Sequence, residues 1–161
     1  MFRVGFGYDS HQLAVNRKLV LGGINIPFEK GCLGHSDGDA LIHAICDALL
    51  GSLALKDIGY HFPDDSSDFK DIDSKILLKR TSGLILEHGW EIGNIDTTIC
   101  IERPKLKEFI PTMIKVLSEL LEIEENQLSI KATTNEKMGF VGREEGVACY
   151  AIVMIHRVYS A

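Results

Sequence analysis

The chain has 161 residues with a formal net charge of −6, and 45% of its residues are hydrophobic and 25% charged. These values are typical of a soluble globular protein that forms one domain, and they argue against a nucleic-acid partner, which favours a basic surface. No apolar run approaches the roughly 20 residues of a membrane helix, so we expect no membrane partner. The four cysteines are scattered without a C-x-x-C pair, which is typical of reduced thiols in a cytoplasmic protein.

The first predicted element is a strand that ends at "YDSH", where Asp9 and His11 stand two residues apart. The alternation of residue types indicates a half-buried strand whose apolar face is formed by Phe2, Val4 and Phe6. Side chains two residues apart in extended backbone point to the same side, so Asp9 and His11 are expected to lie together, with Ser10 pointing away. A hairpin that turns at Gly22-Gly23 follows.

A strong helix is predicted over "HSDGDALIHAICDALLGSLAL", where His43 stands four residues from both Asp39 and Asp47. An imidazole flanked by carboxylates is typical of a metal-bound histidine, whose second N–H usually donates to an oxygen. Asp9, His11 and His43 would then form a three-ligand zinc site of the catalytic type, with one open position. The spacing alone leaves a second interpretation open, in which His43 pairs only with its helical neighbours and Asp9 and His11 belong to a turn.

The other elements follow in chain order. Ser36 and Asp39 resemble a capping box at the start of the helix just described. After it the sequence predicts a long irregular loop over 57–73, a helix over about 74–87, a strand over 90–102, an irregular corner at 103–105 before a third helix, a strand over 127–134, a glycine-rich loop, and a strand over 147–158.

The final strand is apolar on both sides, so both of its faces should be covered. Three helices cannot easily cover both faces of a small sheet, and a second copy of the chain is the expected second cover. We therefore expect an α+β fold in a single domain. It would consist of a small mixed β-sheet plus a hairpin, with helices on one face and the other face packed in an oligomer interface.

The glycine-rich loop "NEKMGFVGREEG" follows a strand that ends in two threonines. Threonine hydroxyls and glycine N–H groups can hold phosphate oxygens, with Lys137 or Arg143 adding positive charge. Glu136 repels phosphate unless a hard cation lies between them, and Mg²⁺ is held in this way by carboxylates and substrate phosphates. A plain turn between two strands is the alternative that the pattern alone leaves open.

Two further polar segments are candidates for substrate contacts. The aspartates of "DIGYHFPDD" suit the recognition of sugar or polyol hydroxyls, whose hydrogen bonds they can accept. Lys105 and Lys107 stand near a predicted helix start and could contact a phosphate or a base. A solvated acidic loop and ordinary surface lysines are the alternatives.

Taken together, these segments resemble the 2-C-methyl-D-erythritol 2,4-cyclodiphosphate synthases of the non-mevalonate isoprenoid pathway. The resemblance extends from "GFGYDSHQL" to "IKATTNEKMGFVGREEGVACYA" and is most specific in "HSDGDALIHAICDALLGSLALKDIG" and "KATTNEKMGFVGREEG". It implies a lyase that closes a cyclic diphosphate by attack of the 2-phosphate of 4-diphosphocytidyl-2-C-methyl-D-erythritol 2-phosphate on its β-phosphate, with release of CMP. Metal ions would neutralise and align the two anions, and no general base is needed.

The resemblance also implies a role for each matching residue. One Zn²⁺ per subunit would be held by Asp9, His11 and His43, and Mg²⁺ or Mn²⁺ by Glu136. The transition state would be stabilised by His35 and Thr134. The substrate would be bound by Ser36, Asp57, Ile58, Gly59, Phe62, Pro63, Asp64, Asp65, Ser66, Ile101, Lys105, Leu106, Lys107, Thr133, Asn135, Phe140 and Arg143. Cytosine would lie against the stretch from Ile101 to Lys107, supplied by a neighbouring subunit.

At the level of the assembly, the resemblance implies a homotrimer with active sites between subunits. Phe140, Arg143 and Glu145 would line a central cavity that takes an isoprenoid diphosphate. The absence of a transit segment favours a bacterial cytoplasmic protein over the mature form of a plastid stromal one. Two other functions stay open on the residues alone: a zinc phosphohydrolase, and a non-enzymatic trimer that binds nucleotide or isoprenoid diphosphate around a structural zinc.

Overall fold

The computed structural model describes residues 1–34, 36–63 and 72–158. The strands are β1 (Phe2–Val15), β2 (Leu19–Leu21), β3 (Ile24–Ile26), β4 (Lys30–Cys32), β5 (Trp90–Cys100), β6 (Leu128–Thr133) and β7 (Gly146–Arg157). The helices are α1 (Ala40–Ser52), α2 (Ile58–His61), α3 (Ser74–Glu87), α4 (Ile110–Leu121) and α5 (Gly139–Gly142), with a 3₁₀ turn at Glu125–Gln127. The predicted α+β single domain is confirmed.

The main sheet has the strand order β4-β1-β7-β5-β6, and β2 and β3 form a separate hairpin. β7 pairs antiparallel with both β1 and β5, whereas β5 and β6 are parallel, so the sheet is mixed, as predicted. α1 packs on β1 and β7 and also contacts α3, which places these helices on one face. The sheet therefore places residues of β1, β7, β5 and β6 side by side, and α1 lies over β1 and β7.

β1 differs from its prediction in length and in burial. Asp9 and His11 lie inside the strand rather than at its end, because the ladder to β7 continues to Gln12 opposite Gly146. The face predicted to be buried is 70%, 57% and 61% exposed at Phe2, Val4 and Phe6, respectively. The buried face is the other one, on which glycines meet α1.

Two glycines of β1 let α1 approach the sheet closely. A Cβ atom at Gly5 would lie 1.8 Å from the carbonyl oxygen of Ala48, and one at Gly7 would lie 1.9 Å from that of Ala44. Real Cβ atoms essentially never come within 3.0 Å of another heavy atom, so only glycine permits this packing. The close approach places His43, on the first turns of α1, above the polar residues of β1.

Asp39 caps α1 and fastens the β2–β3 hairpin to it. Its fully buried carboxylate accepts hydrogen bonds from the N–H groups of Ile42, Gly22 and Gly23 at 3.1, 3.0 and 2.7 Å. The predicted turn at Gly22-Gly23 is present, and both glycines have positive φ angles, 62° and 75°. Burial raises the pKa of the Asp39 carboxyl, although its hydrogen bonds with backbone N–H groups act in the opposite direction.

Asp39→Ala is expected to lower the free energy of unfolding by about 3 kcal/mol, because the three backbone N–H groups, each worth about 1 kcal/mol, lose their acceptor. Urea unfolding followed by circular dichroism measures this loss. Asp73→Ala is the matched control, since Asp73 caps α3 from a half-exposed position by accepting the Lys75 N–H, and its loss should cost about 1 kcal/mol. Equal losses in the two variants would contradict the fastening role of Asp39.

The remaining predicted elements agree in type, and the differences lie in the loops. The predicted helix over 74–87 is α3, and the predicted strands are β5, β6 and β7 with slightly different ends. The predicted loop 57–73 contains the short helix α2, and the glycine-rich loop contains α5. The corner after β5 is longer than predicted, because α4 begins only at Ile110.

The sheet face opposite α1 carries a cluster of exposed apolar side chains. It consists of Phe2, Val4, Phe6, Tyr8, Tyr150 and Ile152. The rings of Tyr8 and Tyr150 are 5.1 Å apart, so β1 and β7 contribute to one continuous surface. The predicted helical cover of one sheet face is confirmed, whereas the cover of this second face by other copies stays a prediction. Within the described ranges, no helix has both the length and the hydropathy needed to span a membrane.

Candidate metal centre and active site

Three side chains from two elements converge on one point. Asp9 and His11 extend from the same face of β1, and His43 extends from α1. Asp9 Oδ2 lies 2.9 Å from His11 Nε2 and 3.1 Å from His43 Nδ1, and the two nitrogens are 3.2 Å apart. The structure therefore brings together the three residues that the sequence predicted as a set.

The spacing of these three atoms fits a tetrahedral metal ion. Bonds of about 2.0–2.1 Å from zinc to nitrogen or oxygen place neighbouring ligand atoms about 3.3 Å apart at the tetrahedral angle. The observed separations of 2.9, 3.1 and 3.2 Å are only slightly shorter. Two imidazoles and a carboxylate are also a donor set that divalent zinc accepts. Asp9, His11 and His43 could therefore hold a metal ion with little movement.

The protonation of His11 is also suited to metal binding. His11 Nδ1 lies 2.7 Å from the carbonyl oxygen of Leu33, which can only accept a hydrogen bond, so Nδ1 carries the proton. In the neutral ring, Nε2 then offers its lone pair toward Asp9 and His43. The predicted ligand His11 thus has its tautomer fixed by a backbone group, which the sequence could not indicate.

Asp9 and His11 shift each other's pKa. Burial disfavours the charged Asp9 carboxylate, but its contacts with the His11 and His43 imidazoles together outweigh that effect and lower the pKa of Asp9 to about 2. Burial also disfavours a charged His11 imidazole, but the hydrogen bond and charge of Asp9 together raise the pKa of His11. Asp9 is consequently an anionic donor, as a metal ligand must be.

The hydrogen-bond partners of His43 correct one prediction. Asp39 and Asp47 were expected to accept its second N–H, but in the described part of the chain its Nε2 has two serine hydroxyls as partners. Ser74 Oγ lies 2.9 Å away and Ser36 Oγ lies 3.2 Å away. The predicted capping box with Ser36 as its first residue is therefore wrong, because Asp39 is the N-cap of α1 and the Ser36 hydroxyl lies beside His43 instead.

Asp47, which was expected to accept a hydrogen bond from His43, accepts one from the backbone of α2 instead. Its Oδ1 accepts the N–H of Ile58 at 2.8 Å, and burial raises the pKa of its carboxyl. Asp57 caps the same short helix by accepting the Tyr60 N–H at 2.9 Å. α2 thereby lies against α1 and presents several predicted substrate residues there: Asp57, Ile58, Gly59, the buried Phe62 and the exposed Pro63.

A cavity of about 430 Å³ lies between the corner after β5 and the end of β6. Its lining contains five residues of the predicted cytosine stretch, Ile101, Pro104, Lys105, Leu106 and Lys107, and two of the predicted diphosphate segment, Thr133 and Thr134. Ile110 and Ala132, which were not predicted, complete the lining. The buried Ile101 and Leu106 supply apolar surface, and the exposed Lys105 and Lys107 supply positive charge. The cavity can therefore hold a flat base beside an anionic group.

The glycine-rich loop borders this cavity through Thr134. Its hydroxyl donates to Glu136 Oε1 at 3.2 Å, so the carboxylate predicted to hold a second cation lies beside a cavity residue. Asn135 is joined to the other wall, because its N–H donates to Glu102 Oε2 at 3.3 Å. The glycine-rich loop and the corner after β5 therefore lie in contact beside the cavity.

Arg103 is a further link between these segments that the sequence reading did not single out. Its Nε and Nη2 donate to the Glu144 carboxylate at 2.7 and 2.8 Å. In the same loop, Arg143 donates to Glu145 through Nε and Nη2, both at 3.0 Å. Arg143 and Glu145 are exposed, as is Phe140 at 40%, so all three are accessible on the surface of a single chain.

The predicted metal centre and the cavity are separated within one chain. Asp9 pairs with Cys149, Cys149 with Ile99, and Ile99 with Ala132, so Asp9 is level with the cavity but three strands away. Three strand spacings amount to about 14 Å. Four predicted site residues, His35, Asp64, Asp65 and Ser66, lie outside the described residues.

Comparison with known proteins assigns the chain to a family. The profile of the YgbB family matches residues 2–156. The chain belongs to the YgbB family. The 2-C-methyl-D-erythritol 2,4-cyclodiphosphate synthase of Bacteroides fragilis is 62% identical to it over 97% of this chain and 98% of its own length. The protein of the same name from Parabacteroides distasonis is 58% identical over 98% of both chains. The predicted resemblance is confirmed.

Solved structures give the same result at the level of the fold. The IspF of Plasmodium falciparum, in its complex with CDP, superposes with a TM-score of 0.87 at 35% identity, over 98% of this chain and 97% of its own. The bifunctional IspDF of Campylobacter jejuni has a TM-score of 0.94 at 39% identity. That alignment covers 99% of this chain and 43% of the longer protein, so the YgbB domain also occurs as part of a larger chain.

Proposed function

We propose that this chain, as one domain over residues 1–161, is a 2-C-methyl-D-erythritol 2,4-cyclodiphosphate synthase. It converts 4-diphosphocytidyl-2-C-methyl-D-erythritol 2-phosphate to 2-C-methyl-D-erythritol 2,4-cyclodiphosphate and CMP, in isoprenoid precursor biosynthesis. Its class is phosphorus–oxygen lyase. The observation that carries the proposal is the convergence of Asp9, His11 and His43 on one point, in a chain of the YgbB family that is 62% identical to a synthase of this name.

Zinc is the metal that we propose for the Asp9, His11 and His43 centre, with one ion per subunit. Three protein ligands leave a tetrahedral ion one position for a substrate oxygen, as in catalytic zinc sites. A second cation, Mg²⁺ or Mn²⁺, is proposed at Glu136, whose carboxylate is a hard oxygen donor beside Thr134. Such bound cations supply charge neutralisation and polarise phosphate oxygens.

The residues of the chain orient the substrate. Asp57 uses Oδ1 to cap α2, so we assign its other carboxylate oxygen to a polyol hydroxyl, with Ile58 and Gly59 beside it. Phe62, Pro63, Asp64, Asp65 and Ser66 continue this proposed polyol and 2-phosphate site. The cavity residues from Ile101 to Lys107 are proposed to bind cytosine, and Thr133 and Asn135 the diphosphate, with Ser36 beside the metal centre.

The chemical step needs positioning more than acid–base catalysis. An oxygen of the 2-phosphate is already anionic and forms a new bond to the β-phosphorus, while the bond from that phosphorus to the oxygen bridging it to CMP breaks. Two anions must approach each other in an acidic protein, so the site has to neutralise their charge and hold them in line for the reaction. We propose that Thr134 and His35 donate hydrogen bonds to the negative charge that develops on the transferred phosphoryl group.

A homotrimer with active sites between its subunits explains two features. The proposed metal centre and the cytosine cavity lie about 14 Å apart within one chain, and a neighbouring copy would bring its own cavity to each metal centre. The exposed apolar cluster of β1 and β7 would be covered by the neighbouring copies; it consists of Phe2, Val4, Phe6, Tyr8, Tyr150 and Ile152. Phe140, Arg143 and Glu145 would then line a central cavity for an isoprenoid diphosphate. Bacterial relatives support a bacterial cytoplasmic enzyme.

Product analysis tests the proposed function. The purified protein is incubated with the cytidyl substrate, Zn²⁺ and Mg²⁺, and the products are followed by phosphorus NMR and by chromatography of CMP. The expected result is one cyclic diphosphate for each CMP released. Free orthophosphate would indicate a zinc phosphohydrolase, which activates water instead. Nucleotide binding without turnover would indicate a non-enzymatic binding protein, and either outcome would overturn the proposal.

A further inference from the structure

The loop before α1 is joined to the start of α3 by hydrogen bonds that involve Asp37. Its N–H donates to the carbonyl oxygen of Ile72 at 3.2 Å. Its carboxylate accepts the N–H of Ser74 on Oδ2 at 3.1 Å and the Ser74 hydroxyl on Oδ1 at 2.5 Å. Ser74 is fully buried, so its hydroxyl is held in one orientation. The His43 imidazole contacts this hydroxyl at 2.9 Å.

The direction of these hydrogen bonds follows from the number of protons available. A carboxylate oxygen only accepts, so the single hydroxyl proton of Ser74 is donated to Asp37. The Ser74 oxygen is then left with lone pairs, and His43 Nε2 must be the donor toward it. In the neutral imidazole, Nδ1 is consequently unprotonated and offers its lone pair to the point where Asp9 and His11 converge.

Ser36 does not change this assignment. Its hydroxyl lies 3.2 Å from His43 Nε2, farther than that of Ser74, and its oxygen already accepts the N–H of Gly38 at 3.2 Å. A proton on Nε2 can be shared between the two serine oxygens, whereas a proton on Nδ1 would leave Ser74 without a donor. A proton on Nδ1 would be donated to Asp9 Oδ2 at 3.1 Å, which is a longer contact than the 2.9 Å from Nε2 to the fully buried Ser74 hydroxyl, so the geometry favours the Nε2–H form of the neutral ring.

We propose that Ser74 and Asp37 are positioning residues that hold His43 in its Nε2–H tautomer, so that Nδ1 is the metal-binding atom. The two histidines would then bind the ion through opposite nitrogens, because Leu33 occupies Nδ1 of His11 and Ser74 occupies Nε2 of His43. The inference rests on the proposed metal-dependent function, to which it adds the groups that fix one ligand. Such outer partners orient metal-binding imidazoles and affect metal affinity.

Nitrogen NMR of the metal-free protein tests the tautomer directly. The chain is labelled with ¹⁵N-histidine, and the His43 signals are assigned by their disappearance in His43→Asn. The expected spectrum shows a protonated Nε2 and an unprotonated Nδ1 for His43 in the wild-type protein. A protonated Nδ1, or an equal mixture of the two tautomers, would overturn the proposal. This spectrum decides the point even where a variant is too unstable to purify.

Zinc affinity tests the role of the two positioning residues. Ser74→Ala and Asp37→Ala are each expected to raise the dissociation constant for Zn²⁺ by about 10- to 100-fold, measured by competition with a chelator. The double variant should lose little more zinc affinity than either single variant, because Asp37 acts on His43 only through Ser74. Ser82→Ala is the matched control, because Ser82 lies on the same helix, is half-buried and donates to the Lys79 carbonyl oxygen. This variant should leave the zinc affinity unchanged.

Wild-type zinc affinity in Ser74→Ala would overturn the proposal, as would equal losses in Ser74→Ala and the control. Both measurements are made without substrate, so they are independent of the reaction. A chain that releases orthophosphate instead of CMP would refute the proposed function while leaving the tautomer result intact. Conversely, an Nδ1–H form of His43 would refute this inference without affecting an observed release of CMP.

Discussion

Replacing His43 with alanine is expected to remove the metal ion from the purified protein and to stop the release of CMP. His43 Nδ1 is one of only three donor atoms found together in the described part of the chain. The loss of an outer partner costs about 10- to 100-fold in metal affinity or activity, so the loss of a ligand itself should cost more than about 100-fold. Elemental analysis for zinc and a CMP-release assay on the same preparation measure both effects.

The control for this experiment is Ser10→Ala. Ser10 stands between the two proposed metal ligands of β1 but points to the opposite, exposed side of the strand. This variant should therefore keep wild-type zinc content and turnover. A His43→Ala protein that also kept its zinc and its turnover would show that the metal assignment is wrong. A loss of zinc or turnover in Ser10→Ala would show that any change near this site has the same effect, so the result for His43 would no longer point to a metal ligand.

Local geometry made part of the proposed metal centre predictable from the sequence. The two-residue period of a strand places Asp9 and His11 on one side whatever the strand packs against. His43 is 32 residues from His11 along the chain, and spacing alone left its meeting with β1 open. The resemblance to a known family supplied that pairing, which the contact of 3.2 Å between His11 and His43 then bears out.

The partners of His43 were predicted wrongly for a physical reason. Residues four apart on a helix are neighbours, which made Asp39 and Asp47 the expected acceptors. Both carboxylates instead accept backbone N–H groups of other elements, at Gly22 for Asp39 and at Ile58 for Asp47. Backbone N–H groups removed from water without an acceptor are costly, so the fully buried Asp39 and the half-buried Asp47 accept hydrogen bonds from them. No local pattern in the sequence indicates which distant N–H group a carboxylate will reach.

The buried face of β1 was predicted wrongly because hydrophobic periodicity shows which side of a strand is apolar but not which side a helix packs against. Phe2, Val4 and Phe6 are the large apolar residues, yet α1 lies on the glycine side, where it can approach the backbone most closely. The apolar side is free in one chain and is available to other copies. The same alternation is therefore compatible with a buried core face and with an interface face.

Gly7→Ala is expected to destabilise the protein and to weaken metal binding together. The added Cβ would lie 1.9 Å from the Ala44 carbonyl oxygen and 2.7 Å from the Ala48 nitrogen, so α1 would have to move away from the sheet. Overpacking of this kind typically costs 1–3 kcal/mol, and contact with a helix backbone, which cannot rotate away, places the expected loss at about 3 kcal/mol. His43 precedes Ala44 on α1, so the same movement would draw its Nδ1 away from Asp9.

Urea unfolding and zinc titration of the same variant measure the two effects, and Gly83→Ala is the control. Gly83 lies in α3, and a Cβ there has no heavy atom within 4 Å, so alanine should raise the free energy of unfolding by about 0.5–1 kcal/mol through its higher helix propensity. A lower free energy of unfolding in Gly7→Ala and a higher one in Gly83→Ala would show that the close packing around Gly7 causes the loss. Wild-type stability in Gly7→Ala would contradict the close docking of α1, and reduced stability with unchanged zinc affinity would show that the metal centre does not depend on it.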